Sequence, residues 1–192
     1  MSLAGVIGYP PKNNFNPDFS EAAKRPREVA WFPFIFRYLP LGKTAFSTLN
    51  LVVNRGKTIF ICDTSVIEYP DANQLADMAT SAARVVRLFG FDPKVAFLSH
   101  STFGKPTSRN TKHVREAIEI LKKQKVNFDF DGEMQPDVAL NPIYQDIYPF
   151  SKIVGNANIL IMPGLHASAI SFKLIKSMSR AKVIGPLLIR LA

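Results

Sequence analysis

Residues 94 to 104 read Lys94-Val95-Ala96-Phe97-Leu98-Ser99-His100-Ser101-Thr102-Phe103-Gly104. The run 95–98 has the length and the β-branched or aromatic character of a buried strand. It passes directly into hydroxyls and a glycine, and a periodic helix follows after the loop 105–110. In an open α/β sheet this is the usual setting of a ligand site, because hydroxyls and backbone N–H groups are free where a strand ends. Serines at strand ends also act as turn residues that satisfy their own backbone. The stretch therefore decides a strand–loop–helix unit first and a site second.

The same alternation extends on both sides. Residues 49–53 and 58–62 are β-type runs joined by Asn54-Arg55-Gly56-Lys57, which reads as a hairpin. After Asp63-Thr64, Asp71 stands as an N-cap with Gln74 three residues on, a capping box. Leu75, Ala79, Ala82, Val86 and Phe89 then form one apolar stripe, and Gly90 ends the helix. The helix after residue 110 carries Val114, Ala117, Ile118 and Leu121 on one face. Its other face, with Lys112, Arg115, Glu119, Lys122 and Lys123, reads as solvated. Residues 126–130 predict a short strand ending in Asp131-Gly132-Glu133-Met134-Gln135. Pro136 and Pro142 are placed to begin helices. Strands at 158–162 and 183–189 flank a helix over about 168–177. Strands alternating with helices imply βαβ units and a mainly parallel sheet covered on both faces.

Composition bounds the function. The 192 residues suit one domain of ordinary size, and 47% hydrophobic with 20% charged residues supports a packed core. The net charge of +9 favours an anionic partner, but it is spread along the chain and no recognised nucleic-acid motif accompanies it. A nucleic-acid partner is not expected. The single cysteine, Cys62, lies in an apolar run and reads as a small buried hydrophobe in a reducing cytoplasm. One cysteine and three scattered histidines give no zinc spacing. The apolar segment 29–41 holds Pro33, Arg37 and Pro40 and is too short to span a bilayer, so no membrane association is expected. Residues 1–47 contain six of the 14 prolines and an aromatic patch from Trp31 to Phe36, and read as an irregular arm. Residues 48–192 read as the α/β domain.

Parallel strands put their carboxyl ends on one edge. Asp63-Thr64, Ser99 to Gly104, Asp131 to Gln135 and Pro163 to Ser168 are thereby expected to converge on one crevice. Hydroxyls and backbone amides there suit phosphate oxygens. Asp131 and Glu133 suit a general base or a partner for a hydroxyl or amine, with helix or turn capping as the competing role for each. His100 and His166 are acid–base candidates, with a hydrogen-bonded structural role favoured.

Several of these segments together resemble a known family. They are Gly56 to Thr64, Val95 to Gly104, Phe130-Asp131-Gly132-Glu133-Met134-Gln135, Ala157 to Pro163, and Val183-Ile184-Gly185-Pro186-Leu187-Leu188. From about residue 49 to 191 the chain is similar to the phosphate acetyl/butyryl transferase domain, and more closely to the copy fused to the C-terminus of bacterial NADP-dependent malic enzymes. The resemblance implies a three-layer α/β/α fold of the isocitrate/isopropylmalate dehydrogenase-like kind, in two lobes with acyl-CoA between them, and dimerisation through this domain. It implies acetyl-CoA or acetyl phosphate as ligand, and acetyl transfer between CoA and phosphate in family members that are transferases. In the malic-enzyme fusions it implies acetyl-CoA sensing in the cytoplasm. The parent's catalytic domain would hold the NADP and the divalent metal, and no cofactor is expected in this segment.

Two departures accompany the resemblance. The segment reads as lacking most of the first lobe, and it ends before the Asn-Asp-Leu-Ser-Arg-like segment that places Ser and Arg at the reacting groups of active transferases. No Gly-x-Gly-x-x-Gly occurs. A regulatory and oligomerising module without catalytic residues of its own is therefore expected, with an active phosphate acyltransferase as the alternative. By motif match and topology, Ser99, Ser101, Thr102, Gly104 and Lys105 would contact phosphate or pantetheine groups, and Pro163 would belong to the same phosphate/acyl-CoA crevice. Asp131 and Glu133 would shape the crevice.

Overall fold

The computed structural model describes residues 46–105 and 111–191. The expected arm falls outside them except for its last two residues, which open a strand. Strand β1 (Phe46–Asn54) and strand β2 (Lys57–Cys62) form the expected antiparallel hairpin, with Asn54 opposite Lys57 and Leu49 opposite Cys62. The two residues between them, Arg55 and Gly56, have φ of 50° and 78°. Two left-handed residues match the right-handed twist of the flanking strands, which is why a two-residue turn closes here.

Helix α1 (Ala72–Leu88) starts at the predicted capping box: the Asp71 side chain accepts from the Gln74 N–H, and the Gln74 side chain accepts from the Asp71 N–H. At its other end Gly90, at φ 82°, donates to the Arg87 carbonyl while Phe91 donates to that of Val86. This pair of bonds is a Schellman closure, and the left-handed residue it needs is the glycine. Leu75, Ala79, Ala82 and Val86 are buried as the stripe required. Phe89 has left the helix and stands 44% exposed, its ring 5.8 Å from that of Phe60.

Strand β3 (Lys94–Leu98) and helix α2 (Lys112–Gln124) follow, the helix burying Val114, Ala117, Ile118 and Leu121. Strand β4 (Asp129–Met134) lies further along the chain than the expected 126–130. Its ladder with β3 runs from Lys94 opposite Asp129 to Leu98 opposite Met134, so Asp131, Gly132 and Glu133 are strand residues and not loop residues. Val126 and Phe128 still pack on the core, but from the approach to the strand. Helix α3 (Pro136–Leu140) begins at Pro136, and Pro142 begins a single 3-10 turn, Pro142–Tyr144. Strand β5 (Ile159–Ile161), helix α4 (Leu165–Met178) and strand β6 (Lys182–Arg190) complete the order. Helix α4 starts three residues before the expected 168, immediately after Pro163-Gly164.

The sheet runs β4-β3-β5-β2-β1-β6 and is mixed. The pairs β4–β3, β3–β5 and β5–β2 are parallel; β2–β1 and β1–β6 are antiparallel. Alternation of strands and helices implied a mainly parallel sheet, but the hairpin reverses the chain once and β6 then pairs with the reversed strand. Strand β3, between β4 and β5, feeds both faces by period 2. Val95 and Phe97 join a core with α1 and α2, including Leu75 and Leu121. Ala96 and Leu98 join one with α3, the segment around Ile153 and the Phe172 side of α4. Helices thus cover both faces. Phe97 is completely buried; truncating such a side chain to alanine costs about 3–5 kcal/mol. The four mutually parallel strands β2, β5, β3 and β4 bring their carboxyl ends to one edge.

Candidate functional site at the carboxyl edge of the parallel strands

A cavity of about 430 Å³ opens where β3 and β5 end. That is within the roughly 300–1,000 Å³ of small-molecule sites. Its floor is Leu98-Ser99-His100 from β3 and Met162-Pro163-Gly164 from β5. Its walls include Thr111 and His113 at the start of α2, His166 and Ala167 at the start of α4, and Glu68-Tyr69 from the loop before α1. Two helices therefore begin at the cavity, and helix N-termini favour negative charge. All three histidines of the chain line it. His113 Nε2 is 3.4 Å from the Pro163 carbonyl oxygen, and His166 Nε2 is 3.7 Å from Glu68 Oε1. No lysine or arginine is among the described lining residues.

Behind the floor lies a polar network. Glu133 is wholly buried, and Arg115, 38% exposed at its side chain, approaches it with Nη1 3.0 Å from Oε1 and 3.2 Å from Oε2. The same Nη1 donates to Thr111 Oγ1 at 2.7 Å. The Ser101 hydroxyl donates to Glu133 Oε1 at 2.6 Å. Ser99 and Ser101 hydroxyl oxygens are 3.1 Å apart, and the Ser101 N–H donates to Ser99 Oγ at 3.2 Å. Glycine is needed beside this carboxylate: at Gly132, φ 146°, a Cβ would lie 2.7 Å from the Phe97 carbonyl oxygen. The expected solvated role of Arg115 is corrected here. It sits on the polar face of α2, but that face turns toward the end of β4, and a buried carboxylate needs a partner there.

The other expected residues are placed as follows. Pro163 lines the cavity with Ser99. Thr102 Oγ1 accepts from the Gln135 N–H at 3.2 Å, and Thr102 and Lys105 form a small backbone bridge around Gly104, at φ 82°. Lys105 is exposed. Asp131, half-buried on the edge strand, accepts from the Gly132 N–H at 2.9 Å. None of Thr102, Gly104, Lys105 and Asp131 is among the cavity-lining residues. Asp63 is committed to its own turn: Oδ1 accepts from the Thr48 hydroxyl and from the N–H groups of Thr48, Ser65 and Val66, and Oδ2 accepts from Ile67 N–H. Cys62 is fully buried 3.2 Å from Ser47 Oγ, and burial pushes its thiol up to about 12.

Sequence reasoning did not single out Glu68, Tyr69, Thr111 or His113. Thr111 and His113 carried one usable signal, their place at the start of the helix following β3, where a parallel unit puts its second helix end. Glu68 and Tyr69 carried none. Among the described residues no three His, Cys, Asp or Glu converge as metal ligands, and no helix is long and apolar enough to cross a membrane.

Comparison with known proteins agrees with this architecture. The chain is 42% identical over 143 residues to an NADP-dependent malic enzyme of Rhizobium meliloti, which covers 74% of this chain and 19% of that protein. It is 44% identical over 161 residues to a phosphate acetyltransferase of Treponema pallidum, covering 78% of this chain and 48% of that one. The chain thus spans about a fifth to a half of the relatives it matches. A phosphotransacetylase from Streptococcus pyogenes superposes with a TM-score of 0.73 at 32% identity, over 79% of this chain and 47% of the other. The family model described as phosphate acetyl/butaryl transferase matches residues 39–192. With that match over most of its length, the chain belongs to the phosphate acetyl/butyryl transferase family.

Proposed function

We propose that this domain binds an acyl-CoA, in the first place acetyl-CoA, or the corresponding acyl phosphate, in the cavity at the carboxyl edge of β3 and β5. The observation that carries the reading is the cavity itself. Two helix N-termini, a strand-end serine and three histidines surround a space of small-ligand size. In the whole protein the domain serves as the acetyl-CoA-responsive and self-associating module of a cytoplasmic NADP-dependent malic enzyme. The similarity to several proteins of that name supports this role. NADP and the divalent metal would then belong to the catalytic part of that polypeptide. The finer fold, isocitrate/isopropylmalate dehydrogenase-like with a second lobe closing over the ligand, is part of the same reading.

Titration calorimetry with acetyl-CoA tests binding, with Ser99→Ala and His113→Ala expected to weaken it. In the malic-enzyme polypeptide the same variants should relieve inhibition of malate decarboxylation by acetyl-CoA; unchanged inhibition would refute the regulatory role. A second reading, an active phosphate acyltransferase, is favoured by the 44% identity to a phosphate acetyltransferase. Phosphate-dependent release of free CoA thiol from acetyl-CoA decides for it. Absence of turnover in protein that binds acetyl-CoA decides for the regulatory module.

A further inference from the structure

The buried network fixes which way the Ser99 hydroxyl points. A hydroxyl has one proton to donate and two lone pairs to accept with. The carboxylate of Glu133, paired with the Arg115 guanidinium, is an acceptor only. Ser101 therefore spends its single proton on Glu133 Oε1, at 2.6 Å. In the 3.1 Å contact between the two serine hydroxyls, Ser101 has no proton left, so Ser99 must be the donor. One Ser99 lone pair accepts the Ser101 N–H at 3.2 Å. What remains at Ser99 Oγ is one lone pair, on a residue that lines the cavity.

From this we infer that Ser99 presents an acceptor, not a donor, to whatever fills the cavity, and so selects a ligand group that carries a proton. The identity of that ligand rests on the acyl-CoA reading above. Within an acyl-CoA the fitting group is an amide N–H of the pantetheine arm, and a fully ionised phosphate oxygen is disfavoured at this position. Glu133 and Arg115 are positioning residues in this scheme: they set the polarity of Ser99 through Ser101 without touching the ligand. Of the two expected contacts of this serine, phosphate or pantetheine, the inference keeps the pantetheine one. Phosphate groups belong at the helix N-termini of α2 and α4, where backbone N–H groups supply donors.

Two measurements test this. Neutron diffraction from a deuterium-exchanged crystal of the protein, with no ligand added, should show the Ser99 hydroxyl deuterium directed at Ser101 Oγ. Nuclear density for it directed into the cavity would overturn the inference. Second, pantetheine and sulfate (which carries no proton at neutral pH) are titrated into the wild type and Ser99→Ala, with thermal unfolding as the check that the variant is folded. The variant should bind pantetheine roughly tenfold more weakly, the value of one such hydrogen bond, and sulfate no more weakly than the wild type. A loss confined to sulfate would overturn the inference. A wild type that binds neither acetyl-CoA nor pantetheine refutes the acyl-CoA reading, while the neutron map still decides the polarity of Ser99.

Discussion

Replacing Arg115 with methionine should unfold the protein more easily by about 2–3 kcal/mol. The figure follows from what the side chain holds. Glu133 is completely buried, and Arg115 supplies both its charge compensation and two close contacts, at 3.0 and 3.2 Å. Removing one partner of a fully buried ion pair costs about 3–5 kcal/mol. Arg115 keeps 38% of its side chain in solvent, so water can reach the vacated place and the cost falls below that range, to about 2–3 kcal/mol. Loss of the 2.7 Å bond to Thr111 works in the opposite direction. The assay is urea unfolding followed by circular dichroism, with a companion thermal scan. At about 2–4 °C per kcal/mol for a chain of this size, the midpoint should drop by roughly 5–10 °C. Combining Arg115→Met with Glu133→Gln should recover part of the loss, with a coupling of at least about 1 kcal/mol. An Arg115→Met protein within about 0.5 kcal/mol of the wild type would refute the reasoning, because surface substitutions behave that way.

Three further outcomes are expected. Asp71→Ala removes the exposed capping box of α1 and should cost about 1 kcal/mol of stability, without changing ligand binding. Gly132→Ala places a methyl 2.7 Å from the Phe97 carbonyl oxygen at φ 146°, and should destabilise by more than about 2 kcal/mol or yield insoluble protein, as a solubility and melting comparison will show. Cys62, pushed from its ordinary 9.0 up to about 12 chiefly by burial, should resist thiol reagents at pH 7–8 until the protein unfolds. The folded state holds this proton more tightly than the unfolded state, so the resulting stability is intact below pH 9. It fades between pH 9 and about 12, at roughly 1.4 kcal/mol per pH unit relative to Cys62→Ala.

The parts of this molecule that depend on neighbours in sequence were legible in it. The Asp71–Gln74 box, the Gly90 stop, the stripes of α1 and α2 and the Arg55-Gly56 turn all act within a few residues, and each appears where local rules put it. Strand β4 lies beyond the expected 126–130 because its ladder with β3 runs through Asp131 and Gly132, whereas the apolar run 126–130 is the better strand by composition. Tertiary pairing overrode composition there. The ion pair escaped for a related reason. Arg115 and Glu133 are 18 residues apart on different elements, and nothing local distinguishes a paired arginine on a polar helix face from a solvated one. Convergence of strand ends was legible in outline. It leads to Ser99 and Pro163 in the cavity floor, but Asp63 serves its own turn. Deciding between ligand contact and turn bonding at a strand end requires distances.

The proposal is that an acyl-CoA occupies the cavity between the ends of β3 and β5. Its most direct test is a titration of acetyl-CoA into isotopically labelled protein, followed by amide chemical shifts in two-dimensional NMR. Saturable shifts should gather at Ser99, His100, His113, Gly164 and His166, with the opposite edge of the sheet silent. No saturable shift at millimolar acetyl-CoA, or shifts gathered at the Arg55-Gly56 turn instead, would contradict it.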